Sequence, residues 1–155
     1  MIQRIQSVYL SLIALISLFL VKGSFLVFSE KAGSVIRVTI NGIFREDAAQ
    51  GLVLIEQLLP LSVFIILIPI TSLITILLFK NRKIQLRLSL FLIVLIVILI
   101  IAFIHVSISV ISKFDAGIIP VLKMFIPLLI LIVSFLAYRG IKKDDQLVKS
   151  YDRLR

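Results

Sequence analysis

LSLFLIVLIVILIIAFIHVSISVI, from Leu88 to Ile111, runs for 24 residues without a formal charge and with a single histidine, His105. As a helix, about 24 residues at 1.5 Å each reach roughly 36 Å, enough to cross a hydrocarbon core of about 30 Å even when tilted. Backbone polar groups in hydrocarbon must be paired within their own segment, so the form expected here is a membrane-crossing helix.

Reading outward, the preceding stretch Lys80-Asn81-Arg82-Lys83-Ile84-Gln85-Leu86-Arg87 has four cations and no acid, as expected of a short cytoplasmic turn. Before it lies a second apolar run, Leu58 to Phe79. Pro60 falls in its first turn, where a missing N–H costs nothing, and Pro69 falls mid-helix, where a kink is expected. Thr71, Ser72 and Thr75 follow within a turn, able to satisfy freed backbone groups or to bond a neighbouring helix. On the other side, Ser112 to Ala116 form a short exit, and a run from about Ile118 to Tyr138, broken by Pro120, Lys123 and Pro127, reads as a further crossing.

The first apolar run, Ile5 to Val21, is the shortest, at about 17 residues or roughly 25 Å. A cleaved secretory signal competes for it, with Arg4 as the basic start and Val21-Lys22-Gly23 as a loose cleavage site; the central lysine and the long apolar run weigh against that. Residues 22–57 are polar enough to leave the membrane. Within them Ile36, Val38 and Ile40 alternate with Val35, Arg37 and Thr39, which is strand periodicity. A second β-prone stretch, Ser24 to Ser29, lies upstream, and Lys31-Ala32-Gly33-Ser34 supplies turn chemistry between the two, predicting a small antiparallel hairpin. An isolated hairpin is only marginally stable, so it should lean on the membrane surface, the helix ends or a partner.

The predicted fold is therefore an all-α membrane protein: a four-transmembrane-helix bundle forming one membrane domain over residues 1–155, with helices at about 5–21, 58–79, 88–111 and 118–138. It carries a β-hairpin-like exported loop over 22–57 and an amphipathic cytoplasmic tail over 139–155. Composition agrees with the membrane class, with 61% hydrophobic residues and a mean hydropathy of +1.20. The net charge of +9 collects beside apolar runs rather than along a polar basic stripe interleaved with aromatics, so nucleic acid is not expected as a partner. Arg4, the 80–87 turn and the tail hold most of the cations against only Asp144, Asp145 and Asp152, while acids and cations nearly balance elsewhere. By the positive-inside rule both termini are cytoplasmic and the 22–57 loop is exported.

Few residues stand out as chemistry. His105 is an intramembrane ionisable group and so a functional candidate, although a neutral histidine hydrogen-bonded to a hydroxyl of another helix is the favoured reading. Lys123 lies about five residues inside the last run, with a stem long enough to snorkel. Glu56 sits at the outer mouth of the second helix, where an acid suits the helix dipole, and a Glu56–Lys123 pair lining a polar pocket is one arrangement to test. Ser7, Ser11, Ala14 and Ser17 place small residues along one stripe of the first helix, favouring close packing. With no cysteine and one histidine, neither a metal site nor a cofactor is expected, and no nucleophile, Walker, zinc-protease or dinucleotide motif is present. An enzyme is not expected.

On a helix, the tail puts Leu147, Val148, Tyr151 and Leu154 on one face and Lys142, Gln146, Lys149 and Arg153 on the other, with Lys143 adjoining: an amphipathic basic helix for anionic lipid or for a docking partner. The chain ends, MIQRIQSVYL over residues 1–10 and RGIKKDDQLVKSYDRLR over 139–155, resemble a family of small four-helix inner-membrane proteins of Bacteroidota classed as a domain of unknown function. That resemblance implies an inner-membrane location and brings no catalytic residue or ligand with it. The expected role is a non-enzymatic subunit or accessory factor of a membrane complex, with a membrane protein or a second copy as partner. The alternative is a small transporter or lipid-handling protein acting as an oligomer, with Pro69, Pro127, His105 and Lys123 around a cavity.

Overall fold

The computed structural model describes residues 3–30, 33–47, 51–79 and 81–153, with side chains for 6–30, 33–46, 51–79 and 81–146. Four helices, α1 (Gln3–Val21), α2 (Leu59–Leu77), α3 (Arg82–Phe114) and α4 (Ile126–Arg153), carry five strands at one end: β1 (Leu26–Glu30), β2 (Val35–Thr39), β3 (Gly42–Asp47), β4 (Gly51–Glu56) and β5 (Ala116–Ile119). The strands form one antiparallel sheet in the order β4-β3-β2-β1-β5.

This corrects the all-α four-transmembrane-helix bundle in two respects. The extramembrane part is a five-stranded sheet rather than a hairpin. Three segments, Leu59–Leu77, Arg82–Phe114 and Leu122–Gln146, are long and apolar enough to cross a membrane, whereas the described apolar part of α1, Gln6–Val21, is shorter. The hairpin itself forms where expected, as β1 against β2 with Leu26 opposite Val38 and Phe28 opposite Ile36. The chain then turns tightly at Ile40-Asn41, Thr39 pairing with Gly42, and continues into β3. Asn-Gly between alternating strands is a strong hairpin signal, and here it adds two strands to the sheet.

The fifth strand comes from the far side of α3 and corrects the run placed at 118–138. Asp115 takes a left-handed conformation, φ 47°, and ends α3. Pro120 then disfavours helical backbone at Ile119, so Ala116–Ile119 runs extended and pairs with β1. A 3-10 turn over Leu122–Phe125 leads into α4, which begins only at Ile126. At the opposite end α3 starts at Arg82 rather than Leu88, absorbing most of the basic turn and reaching 33 residues.

The core is continuous from helices to sheet. On one sheet face Leu26, Phe28, Ile36, Val38 and Ile43 are buried in the same cluster as Leu20, Leu61, Val106 and Val110 of the helices. Phe25 stacks on Phe103 of α3 with ring centroids 4.8 Å apart, tying the start of the sheet to the helix. The Ser62 hydroxyl donates to the Ile40 carbonyl, fixing the β2–β3 turn over the start of α2. The small stripe of α1 lies at a helix interface: Ala14 and Ser17 are buried, and the Ser72 hydroxyl of α2 donates to the Leu10 carbonyl across 2.6 Å. Of the hydroxyls after Pro69, Thr71 and Thr75 bond back into α2 itself, to Leu67 and Ile68 and to Thr71.

Candidate functional site

At the end away from the sheet, the two terminal helices meet through polar groups. The Gln6 side-chain amide of α1 donates to Asp144 Oδ2 of α4, and Arg82 Nη1 of α3 donates to the Asp144 backbone carbonyl at 3.0 Å. Gln6, Gln85 and Asp144 are all buried, and with Ser7, Phe79, Arg82 and Ile141 they enclose a space of about 10 Å³, room for one water molecule. Asp144 Oδ1 is buried without a hydrogen-bond partner among the described residues. A Cβ on Gly140 would meet Gln6 Cγ at 3.1 Å, so the glycine lets the Gln6 side chain lie against α4. Lys142 and Lys143 are exposed beside this knot. The α4 backbone stays helical through Arg153, while the side chains of Leu147, Val148, Lys149, Tyr151 and Arg153 lie outside the described ones, as does Leu154 altogether.

At the sheet end, Glu56 and Lys123 do not come together. Glu56 pairs with Lys113 at the end of α3, 3.1 Å apart with both side chains about half exposed or more. Lys123 Nζ instead donates to the Lys22 carbonyl at 2.5 Å, just past the last residue of α1, where a cation complements the helix C-terminus. His105 lies on an exposed face of α3. Beneath the sheet, Leu26, Ile100, Phe103, Ile104, Ser107, Met124, Pro127 and Leu128 line an almost wholly apolar cavity of about 210 Å³.

The most unusual surface is β4. It is an edge strand, every residue from Gly51 to Glu56 is exposed, and Leu52, Val53, Leu54 and Ile55 retain between 38% and 64% of their accessible surface. Apolar side chains are open on both faces of a strand that has one unpaired backbone edge.

Residues 2–154 match the family described as "Domain of unknown function (DUF4293)". The chain belongs to the DUF4293 family. No curated protein and no solved structure matches it.

In this DUF4293 chain the sequence signal for the inner knot is thin: Gln6 and Asp144 are far apart, and a lone glutamine in an apolar helix says nothing of its partner. The signal for β4 is plainer, because Gly51-Leu52-Val53-Leu54-Ile55 directly follows the Asn41-Gly42 turn and β3. Its unbroken apolar run reads equally as the approach to α2, so periodicity alone does not mark it as a strand. Among the described residues no group of three or more metal-ligating side chains gathers.

Proposed function

We propose that the protein is a non-enzymatic subunit or accessory factor of a membrane assembly, held in a bacterial inner membrane with its sheet on the exported side and both chain ends in the cytoplasm. The observation that carries this reading is the β4 edge, since natural sheets blunt long apolar edges with charge, proline or cover, and an edge left open is a place where another strand adds. The orientation rests on charge. The Gln6–Asp144 contact brings both terminal helices to one end, and that end carries Arg82, Lys83, Arg87, Arg139, Lys142 and Lys143. The likeness of both chain ends to bacterial inner-membrane proteins agrees with that placement.

Affinity isolation of the full chain in mild detergent tests the role. A stoichiometric protein partner, or a defined assembly of copies, should be recovered and should be lost when Leu54→Lys puts a charge on the edge. Recovery of the wild-type chain only as a lone monomer would overturn the reading. Reporter fusions at 83 and in 33–46 test the orientation, which requires cytoplasmic and exported readouts respectively.

A second reading, lipid handling, is favoured by the cavity under the sheet. Its apolar walls and volume suit a segment of hydrocarbon chain rather than a polar solute. Ser107→Phe, which fills it, should then lower the amount of lipid retained through purification, measured by mass spectrometry, and equal retention would reject that reading.

A further inference from the structure

We infer that the β4 edge pairs antiparallel with β4 of a second copy of this chain, joining two five-stranded sheets into one across a two-fold axis. The inference rests on the assembly reading above and names its partner.

The two edges of the sheet are built differently. β5 is four residues long and is followed at once by Pro120, which cannot donate to a ladder. β4 is six residues long, and from Gly51 to Ile55 it contains neither a charge nor a proline. β4 has one register shift, where Ile43 pairs with Glu56 and Phe44 with Leu54, but from Gly51 to Leu54 it is regular and offers the more open ladder to a neighbour.

Charge does not oppose a copy of itself. Among the described side chains the ionic groups around this edge pair within the chain: Arg37 with Glu46 at 2.7 Å, Arg45 with Glu30 at 2.7 Å, and Glu56 with Lys113 at 3.1 Å. An edge that selected a charged partner would show an excess of one sign, and like charges across a self-pair would repel. Here neither condition holds.

Geometry then fixes how two copies meet. An antiparallel pair within one sheet is related by a two-fold axis perpendicular to that sheet, an operation that keeps each face on its own side. The face bearing Leu26, Phe28, Ile36 and Val38 is buried in the core that the helices share, so the helices of both copies fall on the same side of the joined sheet. Two copies inserted in one bilayer satisfy that condition. Because β4 is exposed on both faces, it stands clear of its own helices and leaves the edge reachable.

Parity narrows the register. Residues directly opposite across an antiparallel pair share a face, so the axis passes beside one residue rather than between two. Centred on Val53, the pairing sets Val53 against Val53 and Leu52 against Leu54 of the other copy, apolar against apolar on both faces. Centred on Leu54, the pairing would have to run through the register shift at Ile55 and bring the charged Glu56 towards Leu52. The first register is the one selected.

The chain has no cysteine, so single introduced cysteines report directly. Directly opposite residues in an antiparallel pair have Cα atoms about 4.5–5.5 Å apart, within disulfide range, while diagonal neighbours lie at about 7–8 Å. In native membranes under mild oxidation, Val53→Cys should give a covalent dimer of the full chain. It should do so about tenfold faster or more than Leu122→Cys, a highly exposed site off the sheet, and faster than Leu54→Cys. Adding Leu52→Lys to Val53→Cys should remove the dimer while the thermal unfolding of the detergent-solubilised chain stays unchanged. Equal dimer yields at Val53 and Leu122 would reduce the contact to collision and overturn the inference. A Val53→Cys disulfide formed with a different protein, trapped through a cysteine of that protein, would overturn the second copy as occupant yet leave the assembly reading standing. A chain that stays monomeric and recovers no partner would overturn both.

Discussion

Among the described residues, replacing Gln6 by Leu removes the one side-chain donor to the Asp144 carboxylate and leaves a buried acid whose Oδ1 already lacks a partner. Stranding a buried polar group costs about 1–3 kcal/mol, toward the upper end where the group is charged. Asp144→Leu strands instead the neutral Gln6 amide, at the lower end of the same range. Changing both to Leu strands neither. A buried polar pair replaced by apolar side chains of similar size is close to neutral, so the double variant should recover most of the summed cost and couple by about 2 kcal/mol or more. The assay is reversible unfolding of all four proteins in mixed micelles, read as a double-mutant cycle. The Arg82 bond to the Asp144 backbone carbonyl survives in every variant, so the cycle isolates the side-chain pair. Additive losses, with the double variant as unstable as the two single variants summed, would refute the claim that these side chains stabilise chiefly by satisfying each other.

Gly42 has φ +146°, and a Cβ there would run into the Glu56 carbonyl of β4, so Gly42→Ala should destabilise by about 1–3 kcal/mol or more and raise amide exchange in β3 and β4 first. Ser72→Ala removes the α2 hydroxyl from the Leu10 carbonyl and should cost about 0.6 kcal/mol, the usual worth of such a bond between membrane helices, in the same unfolding assay; a loss above about 2 kcal/mol would mean the hydroxyl does more than bridge. Lys142→Glu with Lys143→Glu should weaken binding of a peptide of residues 139–155 to anionic vesicles by about 1 kcal/mol per cation removed, or more through reversal, and the difference should vanish in high salt; unchanged binding would show that these exposed lysines do not meet lipid.

How far the chain could be read in advance depended on whether a signal was local. The helices α2 and α3 follow from unbroken apolar runs, and the β1–β2 hairpin from the alternation around Arg37, because periodicity lives within a few residues. The run expected to start at Ile118 becomes α-helix only at Ile126, although Pro120 marks the break. Ile118 and Ile119 are as apolar as a crossing helix requires, and only pairing with β1 reveals them as a strand. The same holds for the charged candidates. Glu56 and Lys123 both sit near the sheet end, as their positions implied, but the tertiary arrangement gives each a different partner, Lys113 and the Lys22 carbonyl. For Gln6 and Asp144 nothing local pointed to the contact at all, since it joins the first helix to the last.

That β5 arrives so late in the chain has a consequence for synthesis. Strands β1 to β4 emerge between α1 and α2 and can zip together in order, but the flank of β1 stays open until α3 has been made and Ala116–Ile119 follow it. Throughout that interval β1, rather than the short β5 that Pro120 ends, is the second edge of the sheet, and Val27 waits for Ile119 across the whole of α2 and α3. Closing that flank is a long-range step of the kind that folds slowly and exposes intermediates to mispairing. Delivery of residues 116–119 to the side of the sheet is thereby a checkpoint. In a ribosome-bound chain halted before Ala116 the outward-facing amides of β1 should exchange rapidly with solvent, whereas in one extended past α4 they should be protected.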